Sequence, residues 1–77
     1  MNADDVEQRL RDGEWLGTTD LAVLFGRDRT TIYRWGKRGI LVAKEDPISH
    51  YLSFAPIPAL RLLGQFRSNP PEVGHGG

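Results

Sequence analysis

Seventy-seven residues with ten cationic and ten anionic side chains, no cysteine and a formal net charge of zero describe one small domain with a marginal core, because short chains bury a smaller fraction of their surface. The missing cysteines remove disulfides and thiolate ligands and fit a reducing compartment. No apolar run approaches the roughly eighteen residues that a bilayer span requires, and the acidic start is unlike a signal peptide, so a soluble, cytoplasmic protein is expected.

The first element is a short helix over Asp4 to Arg11, with Val6 and Leu10 four residues apart on one side and acids in the first turn to complement the helix dipole. Alone it is marginal, so it is either docked through those two side chains or partly disordered. Asp12-Gly13 ends it. Trp15 and Leu16 are expected to cover the base of the core near Leu21 and Trp35. A stacking platform for nucleic acid is the alternative role for Trp15.

Thr18 to Leu41 reads as two short helices joined by a tight turn at Gly26. Leu21, Ala22, Leu24 and Phe25 recur at helical spacing, and Gly26 follows them where a left-handed residue closes a helix. Either Gly17 or Thr18 caps the start. Asp28 can accept a hydrogen bond from the free N–H groups of a second helix running from about Arg29 to Arg38, which Gly39 stops. Each residue advances about 100° around the axis, so Ile32, Trp35 and Thr31 form the inward sector. Thr30, Tyr33 and Lys37 point the opposite way, flanked by Arg29 and Arg34.

Ile40-Leu41-Val42 and Ile48-Ser49-His50-Tyr51-Leu52 are two short β-prone runs around a turn cluster, Glu45-Asp46-Pro47. Their tip carries two acids that a phosphate would repel. A last helix starts at Pro58, which fits a first turn, and runs to about Arg67 with Ala59, Leu62, Leu63 and Phe66 as its apolar stripe, closing over the strands and the first helix of the reader. Residues 68–77 are rich in Pro and Gly and read as a flexible tail.

The neutral total hides an uneven distribution. Residues 1–20 carry Asp4, Asp5, Glu7, Asp12, Glu14 and Asp20 against Arg9 and Arg11, a balance of −4, whereas residues 27–44 carry Arg27, Arg29, Arg34, Lys37, Arg38 and Lys44 against Asp28, a balance of +5. A local field of one sign matters more to a docking face than the total. The outward face of the second helix combines cations, hydroxyls and one aromatic ring, the side-chain types that reach base edges and phosphates from the major groove.

The pattern Gly26-x-Asp28-x-x-Thr31-Ile32-x-x-Trp35-x-x-x-Gly39-Ile40-Leu41, preceded by Leu21-Ala22, resembles the helix-turn-helix of MerR-type winged-helix regulators and the related small phage and plasmid excisionases. The resemblance covers Trp15 to Leu41 and weakens through Tyr51. Arg27 stands where that pattern usually has a small apolar residue, and Gly17 where it usually has a capping Thr or Ser. The resemblance implies a mainly α fold with a small β wing, a winged helix-turn-helix over 14–67, preceded by an acidic helix over 1–13.

The function this points to is sequence-specific binding of duplex DNA through the major groove, by an excisionase-type recombination directionality factor or a small transcription regulator. Thr30, Tyr33, Arg34 and Lys37 are the base-edge candidates, with Arg29 able to reach a base or a phosphate. Arg27, Arg38, Lys44 and His50 are phosphate-positioning candidates. Recognition of DNA in the manner of a phage terminase small subunit, and a protein-interaction module whose basic helix binds an acidic partner, are the alternatives, and the blandest reading is a helical hairpin with a solvated basic face. No cofactor, metal, membrane or small-molecule effector is implied, and the scattered glycines and isolated acids give no catalytic constellation. With no dimerising element in view, useful affinity suggests head-to-tail binding of several copies on DNA, acids among Asp4, Asp5, Glu7 and Asp12 meeting Arg38 or Arg61 of the next copy.

Overall fold

The computed structural model describes residues 2–68, arranged as α1 (Ala3–Arg11), β1 (Leu16–Gly17), α2 (Thr18–Phe25), α3 (Arg29–Lys37), β2 (Ala43–Glu45), β3 (Leu52–Phe54) and α4 (Pro56–Ser68). The protein is mainly helical, with a small antiparallel sheet in the order β1-β3-β2. The end of α4 is Ser68; the rest of the tail expected over 68–77 lies outside the described residues.

Local chemistry sets the helix boundaries. The Asn2 side chain accepts a bond from the Asp5 N–H at 2.9 Å and opens α1. Gly17 holds the N-cap position of α2 without a side-chain bond, and Gly26 ends that helix in the left-handed region at φ 66°, where a side chain would be strained. Asp28 then accepts from the Thr31 N–H at 2.8 Å, and bonds from Thr31 hold its carboxyl below the usual carboxylate range. At the far end of α3, Ile40 N–H reaches the Trp35 carbonyl and Gly39 N–H the Gly36 carbonyl, which is the paired closure that satisfies last-turn acceptors.

That closure explains why the strands lie later than the β-prone runs suggest. Ile40 and Leu41 both donate to Trp35, and Leu41 is buried as a core plug, so residues 40–42 connect and pairing begins at Ala43. Residues 46–51 are taken by the turn, and pairing resumes at Leu52, with Glu45 opposite Leu52 and Ala43 opposite Phe54. Leu16–Gly17 supplies a strand that the sequence does not announce, pairing with Phe54 and Ser53 and making β3 the centre of the sheet. Two residues are too few to show a period of two.

The core gathers Val6, Leu10, Leu16, Leu21, Leu24, Phe25, Ile32, Leu41, Leu52, Phe54, Ala59 and Leu63. The acidic α1 is therefore docked, lying against α2 and α4 through Val6 and Leu10. Leu16 enters the core but Trp15 does not: successive residues along extended backbone point to opposite sides, and Trp15 is 43% exposed with the Lys44 ammonium 4.4 Å from its ring centre. Helix α4 starts at Pro56, two residues before the expected start. Both prolines fall in the first turn, whose N–H groups have no intrahelical acceptor to lose. It packs on α1, and its Phe66 completes an edge-to-face cluster with Phe25 and Trp35, with ring centres 5.3 and 5.7 Å away.

Glu7 corrects the assembly scheme. Its side chain is nearly buried and bridges Arg11, four residues on, and Arg67 at the end of α4, each at 2.6 Å. The bonds from Arg67 and then Arg11 lower its carboxyl to about 2. Glu7 clamps the two terminal helices together and is not available to a neighbouring molecule, whereas Asp4, Asp5 and Asp12 stay exposed.

Candidate nucleic-acid interface

Helix α3 is two-faced. Ile32 is fully buried and Trp35 half-buried, so the inward sector seals α3 against the core, while Arg29, Thr30, Tyr33, Arg34 and Lys37 project on the other side and are exposed. The separation is possible because α3 approaches β3 with no side chain between them at Gly36. A Cβ there would lie 2.9 Å from the Phe54 ring and 3.3 Å from Leu52, so only glycine lets the helix sit this deep.

Arg29, Thr30 and Tyr33 line one open groove of about 680 Å³ together with Gly17, Thr18 and Thr19 at the start of α2 and Tyr51, Leu52 and Ser53 at the start of β3. The starts of α2 and α3 and the distant β3 thus present hydroxyls, a guanidinium and two phenol rings to the same space. Thr18, Thr19 and Ser53 are additions to the residues singled out from sequence. The position of the two threonines at the start of α2 is a visible cue, but only the β1–β3 pairing carries Ser53 alongside them.

Lys37 and His50 meet at one carboxylate. The Lys37 ammonium is 3.2 Å from Glu45 Oε1 and lies over the Tyr33 ring at 5.4 Å, and His50 Nδ1 is 2.9 Å from Glu45 Oε2. The bond to Glu45 raises Lys37, and the bonds from His50 and then Lys37 hold Glu45 below the usual range. His50 is not on a strand. It sits in the turn at φ 65°, a conformation uncommon for a residue with a side chain, held by its N–H donating to the Asp46 carbonyl at 2.8 Å.

The remaining cations are spread around this face. Arg27 occupies the turn between α2 and α3 with its guanidinium 5.5 Å from the Phe66 ring centre, which turns it toward α4. Arg38 caps the C-terminal end of α3, and Lys44 lies over Trp15. Among the described residues, Arg29, Arg34 and Arg38 form no salt bridge, while Lys37 is paired with Glu45. Nor are Glu45 and Asp46 two free acids at a tip: Asp46 accepts from both the N–H and the hydroxyl of Ser49, at 3.0 and 2.6 Å. No protein-family model, curated protein or solved structure matches this chain.

A prediction separates these two acids. Glu45→Gln releases Lys37, so if this face takes duplex DNA, the dependence of that binding on salt should steepen by up to about 0.9 in log–log slope once Lys37 reaches one further phosphate. Asp46→Asn, whose carboxylate is consumed inside the turn, should leave the slope unchanged. Fluorescence anisotropy on a labelled duplex across a salt series distinguishes them, and equal slopes for the two variants would show that Glu45 does not restrain Lys37 at the interface.

Proposed function

We propose that this chain is a winged helix-turn-helix protein that binds duplex DNA in a sequence-specific way, with α3 in the major groove and the β2–β3 hairpin as the wing, acting as an excisionase-type recombination directionality factor or a small transcription regulator. The observation that carries the reading is the division of α3: its apolar side is sealed into the core while Arg29, Thr30, Tyr33, Arg34 and Lys37 project together from the other. Arg and Lys on such a face can bond guanine edges bidentately or as point donors, and Thr and Tyr can reach either bases or backbone. The groove between α2, α3 and β3 suits a sugar-phosphate strand, because Thr18, Thr19, Arg29, Tyr51 and Ser53 offer donors there without an opposing carboxylate. Asp4, Asp5 and Asp12 lie on or just after α1, away from this face, and remain free to meet a further copy on an adjacent site.

Selection of bound sites from random duplexes tests the proposal directly: it should return a short motif enriched in guanine, and the absence of any enriched motif would overturn it. On the selected duplex, Arg34→Ala should weaken binding by about 1–3 kcal/mol if it makes a bidentate base contact. Arg9→Ala on α1, whose side chain pairs with Glu14, is the control. Arg67 cannot serve, since it holds Glu7 and its loss would disturb the fold. Equal effects of the Arg34 and Arg9 substitutions in a binding titration would move the reading face elsewhere.

A further inference from the structure

The sheet has one face in the core and one in solvent. Leu16, Phe54 and Ala43 pair in one row and point inward, so the next row, Gly17, Ser53 and Lys44, points out. Trp15 precedes Leu16 and lies on that outer side, 43% exposed. A tryptophan left outside so small a core gives up a large apolar area that it could have buried. Its ring meets the Lys44 ammonium instead, 4.4 Å from the ring centre. Among the described residues Lys44 forms no salt bridge.

The same outer row leads to two further rings. Gly17 and Ser53 also line the groove that holds Tyr33, Tyr51 and Arg29, and both phenols are exposed, Tyr51 at 78%. The middle of this strip is open: a Cβ added at Gly17 would meet no atom within 4 Å. Tyr51 is three residues before Phe54, the partner of Leu16, so Trp15 and Tyr51 lie roughly 10–13 Å apart along the strand direction. The charged side chains on the strip are cations. Lys44 stands at the tryptophan end and Arg29 at the tyrosine end, and no carboxylate lines the groove. The acids next to Trp15, Arg29 and Lys44 in sequence are each held elsewhere: Glu14 pairs with Arg9, Asp28 caps α3, and Glu45 bonds Lys37 and His50.

Exposed rings spaced along a cationic strip suit a single strand. Unpaired bases stack on aromatic side chains while cations follow the phosphates, whereas the bases of an intact duplex are already stacked on one another. We infer that the outer face of the sheet binds unpaired DNA, with one base on Trp15, another on Tyr51, and Lys44 and Arg29 on phosphates of the strand. A cation–π contact at an exposed site is weak, so the Lys44 ammonium moves to a phosphate as a base takes the ring. Every base has a face to stack, so this site adds little sequence preference. It goes beyond duplex reading by α3, and only the choice of DNA over RNA rests on that reading. Arg29, Tyr51 and Ser53 belong also to the groove proposed for a duplex strand, so Trp15 is the residue that separates the two.

The experiment titrates the full chain with a labelled oligothymidylate, which forms no duplex, and follows anisotropy and tryptophan emission together. Binding should quench the emission and weaken as salt rises. Trp15→Ala should weaken it about 5–150-fold, the loss of one stacked base, and abolish the quenching, while Trp15→Phe restores most of the affinity. Tyr51→Ala, at the most exposed of the three rings, should cost the same range and decides the matter should Trp15→Ala not fold. Lys44→Gln should lower the log–log salt slope by about 0.7, one single-strand phosphate. On a duplex obtained by site selection, Trp15→Ala should bind as the unsubstituted chain does. No binding of oligothymidylate by a chain that binds its selected duplex, or single-strand binding that Trp15→Ala leaves unchanged, overturns the site and leaves the proposed function standing. Equal losses on both DNAs by a folded Trp15→Ala chain also overturn it, because the ring then serves the duplex. Tighter binding of oligouridylate of the same length makes RNA the occupant and overturns the assignment to DNA. Single-strand binding as described, with no duplex motif selected, upholds the site and overturns the proposed function.

Discussion

Phe54→Ala should cost about 3–5 kcal/mol of folding stability, the usual range for truncating a buried phenylalanine. Phe54 is fully buried on the central strand, it pairs with both Leu16 and Ala43, and its ring is the surface on which Gly36 of α3 rests. At roughly 0.05–0.15 kcal/mol per residue the whole domain has about 4–12 kcal/mol to lose, so the variant should be largely unfolded at the low end of that range. Urea titration followed by tryptophan fluorescence measures it. A companion substitution tests the contact itself. Gly36→Ala should destabilise by about 1–3 kcal/mol through overpacking, outweighing the benefit of up to about 1 kcal/mol in helix propensity. In the Phe54→Ala background the 2.9 Å contact is gone and only the Leu52 side chain, 3.3 Å away, must yield, so adding Gly36→Ala should cost less than it does alone. Additive costs in the double variant would show that the helix–strand contact at Gly36 does not limit packing.

Acidification should remove a second large contribution, that of the Glu7 clamp. Its folded carboxyl is lowered to about 2 by Arg67 and Arg11, so protonation opposes the folded state, and the stabilisation is complete above the unfolded value near 4.5 and lost as pH falls toward 2. The full shift corresponds to about 3 kcal/mol; with the arginine partners 57% and 59% exposed and screened by water, about 2 kcal/mol is expected. Thermal melts at pH 5, 3 and 2 should show a steep loss for the unsubstituted chain and a flatter one for Glu7→Gln. Parallel pH dependences would mean that the clamp does not hold α1 against α4 in solution. The exposed Asp28 cap adds a loss of the same sign, since its carboxyl is also lowered in the folded chain.

The interface and the clamp illustrate opposite uses of similar side chains. Arg67 and Arg34 are both solvent-accessible arginines on helices, yet Arg67 is fastened to a nearly buried glutamate sixty positions away and Arg34 forms no salt bridge among the described residues. Charge counted along the chain could not distinguish them. The same holds for the acids: Glu7 looks like Asp4 and Asp5 in a charge run, but its position one residue after Val6 on a docked helix places it at the boundary of the core.

By itself the sequence determined the elements whose signals are local. Asp28 as a cap, Gly26 as a left-handed stop, Ile32 as buried and the outward set on α3 all follow from hydrogen-bonding capacity, backbone freedom and a period of 3.6, none of which needs a distant partner. Tertiary structure alone decided the rest. It made Leu16–Gly17 a strand by pairing it with Phe54 and Ser53, moved both hairpin strands toward the C-terminus because the end of α3 and the Asp46 turn took their backbone first, and put Trp15 outside under Lys44. It also joined Lys37 to Glu45 and Glu7 to Arg67, and required glycine at position 36. Each of these depends on which groups compete for one hydrogen bond or one volume across the chain, and such a competition is resolved only when the pieces have packed.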